Sequence, residues 1–391
     1  MVRDPEACDT QRVFASPPQR QITERRIRVD RSKRLAEQPE VGHNRWHPDI
    51  PAIARVRPGE RIVLECRDAI DGQITAATRP ADLSQVNLNV AHALTGPIHI
   101  EGAEPGDLLE VRIVDVEPDS VGFTWFTPSF GFLRDHFKEP AVFTWRIADG
   151  YAECADIPGV RIRGNPFSGT IGVAPSRAQL TGIIAREQRL LERGGVVLPP
   201  EPHDAVPADP KIANEALRTI PPRENAGNLD VRQLSKGARL YVPVNVEGAL
   251  FSIGDGHFAQ GDGEVCGTAI EMRAAFDLEF QVAKGEATRR RLTGASYSRE
   301  KPAAADLAAA GPFFATTGIS VTESGENTSE DASLAAKRAM LAMIDHLVGD
   351  RGFSRAQAYA ITSVAVDLRL SSVVNVPNFV ASALLPLDIF V

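Results

Sequence analysis

The sequence predicts an α+β protein that is predominantly β, with antiparallel β-sandwich or barrel units and a smaller α/β part at the C-terminus. Three observations carry this. Runs such as ERIVLEC, DLLEVRIVDVEP and YVPVNVEG are rich in β-branched residues or alternate apolar with polar side chains, as half-buried strands do. The 31 glycines and 28 prolines fall at short intervals and mark turns rather than long helices. Strand and helix do not alternate in a sustained way, which argues against a TIM barrel or a doubly wound parallel sheet.

The elements follow in order. Residues 1–22 read as a loose extension, and strand signals begin near Thr23. DLLEVRIVDVEP follows the turn Glu104-Pro105-Gly106-Asp107. A helix is expected over Ser176–Arg193, with Ser176 as cap, Leu180, Ile183, Ile184 and Leu191 facing inward, and Gly194-Gly195 as the stop. Residues 196–223, rich in proline, alanine and charge, read as a connection. GTAIEMRAAFDLEFQV is a long alternating run. A second helix is expected from about Ser329 to Val348, with Thr328 and Asp331 as a capping box, and a third from the Ser354/Gln357 box through Ala360. ITSVAVDLRLSSVVNV and the tail VVNVPNFVASALLPLDIFV read as strands. The expected division is an extension (1–22), a β-rich part (23–215), and a β-rich then α/β part (216–391) packed closely on it.

A net charge of -8 disfavours a broad electropositive surface for nucleic acid, and no reader motif is present. The four cysteines (8, 66, 154, 266) form no CxxC pair and suit reduced thiols. The N-terminus lacks the apolar core of a signal peptide, and no apolar run is long enough to span a bilayer. A cytoplasmic protein is expected.

The densest polar segment is GDGHFAQGDGE, residues 254–264. Its glycines permit tight turns and close backbone approach. Asp255 and His257, two apart, can project from one face of an extended strand and ligate one metal ion. Glu264 can act beside them as general base or acid. The bland alternative is a hydrophilic hairpin with turn carboxylates. Asp68 and Gln73 follow a strand and can reach a pocket at its end, whereas Asp71-Gly72 reads as a turn. His92 precedes a Thr-Gly-Pro turn, and His99 sits in a strand-like stretch as a structural residue. Glu101 is a candidate pocket carboxylate; Glu104 and Asp107 read as turn residues. Asn228 can donate to an amide oxygen, with Asp230 as a supporting group, or the pair can simply cap a turn. His43, Trp46, His47 and Asp49 can line a pocket entry, whereas His136, His203 and His346 read as surface or helix-face residues.

These segments together resemble the acetamidase/formamidase family. The likeness rests on HNRWHPDIPAIARVRPGERIVLECRDAIDGQI, LTGPIHIEGAEPGDLLEV, GNLDVRQLSKGARLYVPVNVEGALFSIGDGHFAQGDGEVCGTAIE and VAVDLRLSSVVNVPN, in order from about residue 43 to the C-terminus. LTGPIHIEGAEPGD and GDGHFAQGDGEVCGTAIE are its most specific pieces. The resemblance implies a β-rich homo-oligomer, dimer or trimer, that hydrolyses a short aliphatic amide to acid and ammonia in nitrogen metabolism. It implies a divalent metal, zinc or alternatively calcium. Asp68, Gln73, Glu101, Asn228, Asp230, Asp255, His257, Asp262, Glu264 and Glu271 fall on motif positions.

The expected mechanism holds metal at Asp68, Asp255 and His257, places Glu264, Asp262 and Glu101 in catalysis, and binds the amide with Asn228, Gln73 and His92. A cysteine nucleophile, Cys266 or Cys66, is the competing mechanism, although no lysine lies nearby to lower the thiol pKa. Phe123, Trp125, Phe126, Phe130 and Phe132 can form a lineage-specific pocket wall and favour a larger or cyclic amide. A non-catalytic metabolite-binding β-sandwich is the alternative outside enzymes.

Overall fold

The structure is a computed structural model and describes residues 25–128, 130–301 and 311–391. The expected extension, with Cys8, lies outside the described residues. Two large sheets carry most of the rest. The first is six-stranded, in the order Arg25–Ile27, Arg61–Cys66, Ala274–Ala283, Leu108–Pro118, Ala238–Pro243, Ser296–Arg299. Strands from both sides of residue 215 interleave in it. The second is eleven-stranded, and at its centre Phe251–His257 pairs antiparallel with Phe167–Val173, Glu271–Met272 and Leu94–Ile100. Most pairings are antiparallel, but Arg25–Ile27 runs parallel to Arg61–Cys66 and Ala54–Val56 parallel to Leu94–Ile100.

Alternation along Ala274–Ala283 explains how the sheets meet. Phe276, Leu278 and Phe280 point inward and are fully buried, while Asp277, Glu279 and Gln281 are only partly covered. Asp277 pairs there with Arg61 of the neighbouring strand. Phe280 of the first sheet meets Phe251 of the second edge to face, ring centroids 5.0 Å apart. Each such buried side chain stabilises the fold by roughly 1.5–3 kcal/mol, and the shared layer fixes Phe251–His257 from behind.

The smaller C-terminal part is a three-stranded sheet, Phe313–Ile319, Val380–Pro386 and Asp367–Ser372, covered by the helix Ala332–Gly349. That helix is capped by Asp331, whose side chain accepts from the Leu334 amide, and not by the expected Thr328 box. The Ser354/Gln357 box forms as expected, but its helix runs Arg355–Ala365. Ile361–Ala365, expected as strand, continue the helix because that turn is buried on all sides. The first helix is Arg177–Glu192, capped by Ser176. The 196–223 connection contains a short helix, Pro210–Ala213, and a two-residue strand, Leu217–Arg218.

Candidate active site

The front of the eleven-stranded sheet carries a cavity of about 70 Å³, enough for several waters at ~10–15 Å³ each. Strand geometry loads it. Asp255 and His257 lie two apart on one strand, and register pairs His257 with Glu271 of the next. Asp230 follows the Ala226–Asn228 strand on the other side, and Glu264 comes from the glycine-rich loop. His257 Nε2 stands 3.2 Å from Asp255 Oδ1, 3.2 Å from Glu271 Oε2 and 3.9 Å from Glu264 Oε1. Two overlapping triads result, Asp255–His257–Glu271 and Asp230–His257–Glu264, each with ligand atoms within 4.8 Å of one another.

The backbone is bent to bring these acids inward. Asp230, Asp255 and Glu264 have φ of 49°, 57° and 42°, the left-handed region that L-residues with a Cβ rarely occupy. Such conformations cost about 1–3 kcal/mol each and concentrate at functional sites. Gly169 completes the floor. A Cβ there would lie 2.4 Å from Asp255 Oδ2, 2.6 Å from Asp230 Oδ1 and 2.7 Å from His257 Cε1, so only glycine leaves this space to the acids.

Burial sets the charge states. It pushes Asp230 up to about 7, reinforced by Asp255 and Glu271 against the pull of His257. It also raises Glu264 well above the ordinary carboxylate range, with Asp230 adding to the effect, and raises Glu271. Burial would raise Asp255 too, but His92, His257 and its hydrogen bonds prevail, and its pKa is lowered. For His257 burial opposes the charged form, yet Glu271 and Asp255 outweigh it and hold the pKa well above 6.5. Burial lowers His92, which keeps that ring neutral near pH 7.

The sequence-predicted residues divide clearly. Asp255, His257, Glu264, Asn228 and His92 line the cavity. His92 Nε2 lies 3.8 Å from Asp255 Oδ2, and its Nδ1 is 3.3 Å from Thr170 Oγ1. Thr170 Oγ1 also lies 2.8 Å from Asn228 Oδ1 and 3.0 Å from Asp255 Oδ2. Asn228 Nδ2 donates one hydrogen to the Ile220 carbonyl.

Asp68 does not join the triads. Its Oδ1 accepts from the amides of Ile70 and Gly72, and its other oxygen faces Arg273 at 3.7 Å, so the turn after its strand closes on itself. Glu271, and not Asp68, completes the group with Asp255 and His257. Glu101 is exposed beside Arg57, 3.4 Å away. Asp262, two residues before Glu264 in the loop, pairs with Arg232 at 3.1 Å. Gln73 ties Ile70 and Asn87 together through its amide, which shapes the wall without entering it. His43 and His47 serve structural contacts, with Ser252 and Glu215. The roles of Asp230 and Glu271 come from register and loop closure. Asp230 was expected only as a supporting group beside Asn228, and for Glu271 its place on the quoted motif was the sole sequence signal.

Trp125 and Phe130 stack with centroids 6.2 Å apart and, with Ile70, Leu88 and Ile220, form an apolar wall opposite the acids. Cys266 and Cys66 do not line the cavity. Their thiols lie near backbone carbonyls, and burial pushes them up to about 11 and about 12.

Comparison with known proteins fits this architecture. The chain is 36% identical to a formamidase of Methylophilus methylotrophus over 386 residues, covering 93% of each chain. It is 36% identical to an acetamidase of Mycolicibacterium smegmatis, covering 85% of this chain and 87% of the other. A solved gamma lactamase from Delftia acidovorans superposes with a TM-score of 0.88 at 35% identity, covering 94% and 93% of the two chains. A β-rich scaffold with a buried carboxylate–imidazole cavity and these relatives define an amidohydrolase of the formamidase/acetamidase type. The chain belongs to the Acetamidase/Formamidase family, whose model matches residues 28–391. Among the described residues no helix is long and apolar enough to cross a membrane.

Proposed function

We propose that the chain hydrolyses a short aliphatic amide, formamide or acetamide, to the acid and ammonia, with a divalent ion held in the carboxylate–imidazole cavity. The observation that carries this reading is a pair of buried oxygens in a cavity that already holds two further acids: Asp230 Oδ1, which has no hydrogen-bond partner, and Glu271 Oε2, which faces only the His257 ring at 3.2 Å. Four buried acids converge on one imidazole, a donor set that suits a divalent ion, which on binding would displace the proton from His257 Nε2. Oxygen and imidazole donors suit zinc, and calcium is the harder alternative.

Asp255, His257 and Glu271 would hold the ion. When bound, a divalent ion acidifies a water molecule and draws charge from the amide oxygen. The remaining steps belong to the protein. Burial pushes Asp230 up to about 7 and raises Glu264 well above the ordinary carboxylate range, so the pair can take a proton from water and pass it on to the leaving nitrogen. Asn228 keeps a second amide hydrogen for the substrate. The apolar wall excludes bulk water and seats the acyl group. Both buried thiols are poor nucleophiles at neutral pH, which favours this route over the cysteine one.

Ammonia release from formamide and acetamide tests the reading. No release from either, with metal supplied, contradicts it. A second reading, a larger or cyclic amide, is favoured by the Trp125–Phe130 wall and by the likeness to the gamma lactamase. An amide panel graded by acyl size, with a γ-lactam included, separates the two. A cytoplasmic homo-oligomer, dimer or trimer, remains part of the proposal, and light scattering on the purified chain tests the assembly.

A further inference from the structure

A second polar cavity, of about 170 Å³, lies on the far side of the loop that walls the amide cavity. Five cations line it, Arg31, Lys33, Arg34, Arg67 and Arg273, against two carboxylates, Asp68 and Asp71. Asp68 is engaged by its own turn, while Asp71 keeps one oxygen, Oδ1, without a hydrogen bond, 3.5 Å from Arg67 Nη1. Asp68 accepts from the Gly72 and Ile70 amides, and Asp71 Oδ2 accepts from the Leu35 amide at 2.8 Å. Arg31 and Lys33 have partners at the rim, Asp119 at 3.4 Å and Asp30 at 3.9 Å.

Arg34 and Arg273 are less fully used. Arg67, only 6% exposed, is already committed to the Lys33 and Asp30 carbonyls, to Gln38 and to Asp71, and supplies fixed positive charge at the cavity's edge. Arg273 reaches no closer than 3.7 Å to Asp68, and Arg34 donates to the Asp71 carbonyl. A Cβ built on Gly72, whose φ is +71°, would lie 3.2 Å from Arg34 Nη1 and 3.4 Å from Arg273 Nη2. The two forks therefore flank one backbone point.

We propose that this cavity binds a small oxyanion, of the carboxylate or phosphate class, and that its occupancy tunes the amide cavity. Planar guanidinium forks match two-oxygen anions in geometry as well as charge. The coupling path is short. Asp68, Asp71 and Gly72 line the anion cavity, while Ala69 and Ile70 of the same turn line the amide cavity. The tuning half of the inference rests on the proposed hydrolysis; the binding half does not.

The test uses the full chain. Calorimetry and thermal melting are run with sodium phosphate, formate or acetate, against sodium chloride at equal ionic strength. Heat release and a melting shift beyond chloride are expected, with affinity falling at least tenfold in Arg34→Gln and in Arg273→Gln. Arg273→Lys, which keeps the charge but loses the fork, should also weaken binding. Basal kcat/KM of the Arg34→Gln enzyme should stay within about twofold, with the anion effect on rate lost. Binding of phosphate alone assigns an external effector, and binding of formate or acetate assigns product feedback; either supports the proposal. No response beyond chloride, or a response unchanged in all three folded variants, overturns it. Anion binding with no amide turnover leaves the site standing and removes only the hydrolysis reading.

Discussion

His257 Nδ1 lies 2.9 Å from Gln260 Oε1, while the other end of that amide, Nε2, donates to the Asp230 carbonyl at 2.8 Å. A carbonyl can only accept, so the amide has one orientation, and its oxygen must receive a proton from His257 Nδ1. Nε2 is thereby the nitrogen presented to the acids. Replacing Gln260 with Leu removes the acceptor without adding charge. Metal affinity or kcat should fall about 10–100-fold, the usual cost of losing such a support, with KM little changed. Zinc titration and steady-state kinetics check this; unchanged values in both would show that the ring is oriented by other contacts.

Glu264→Gln should retain metal and fold but lose about 10²–10⁴ in kcat, because a proton carrier is replaced by an amide. Metal content measured on the same sample as the rate separates this from simple loss of the ion.

Gly169→Ala should lower kcat/KM by roughly 100-fold, since displacing reacting groups by about 1 Å carries that cost. The added methyl competes for space with Asp255, Asp230 and His257 at once. A full-activity alanine enzyme would mean that these three groups need not sit where they do.

Stability should fall on mild acidification through His43. Burial holds its pKa down from 6.5 to about 4, so between those values the unfolded chain binds the extra proton. The stabilisation is complete above pH 6.5 and is lost as pH falls toward 4, roughly 2 kcal/mol of it between pH 7 and 5. Urea unfolding at the two pH values, compared with His43→Gln, should show a shallower pH dependence in the variant.

The wall residue Trp125 should control acyl size. Trp125→Ala is expected to raise kcat/KM for a four- or five-carbon amide relative to formamide, read from a substrate series.

Much of this was legible in the chain. The alternation of Ala274–Ala283 and the caps at Ser176 and Ser354 are local signals, and the elements form where those signals stand. Asp255 and His257 were readable as a pair because strand period two is local. Glu271 was not singled out as a ligand, because only the pairing of two strands places it opposite His257. Asp68 was misplaced for a related reason: a carboxylate at a strand's end can face a pocket or close its own turn, and here two backbone amides take it. Asp262 and Glu264 show how two neighbouring acids diverge. A left-handed residue at Glu264 turns one into the cavity, while Arg232 holds the other.

The account depends on one cavity holding a cation among Asp255, His257 and Glu271. X-ray diffraction from zinc-loaded crystals, measured on either side of the zinc absorption edge, tests it directly. The account predicts an anomalous peak ringed by those three side chains, with Asp230 and Glu264 facing it. A map with no peak in that cavity, or with the ion bound instead beside Asp68, would contradict it.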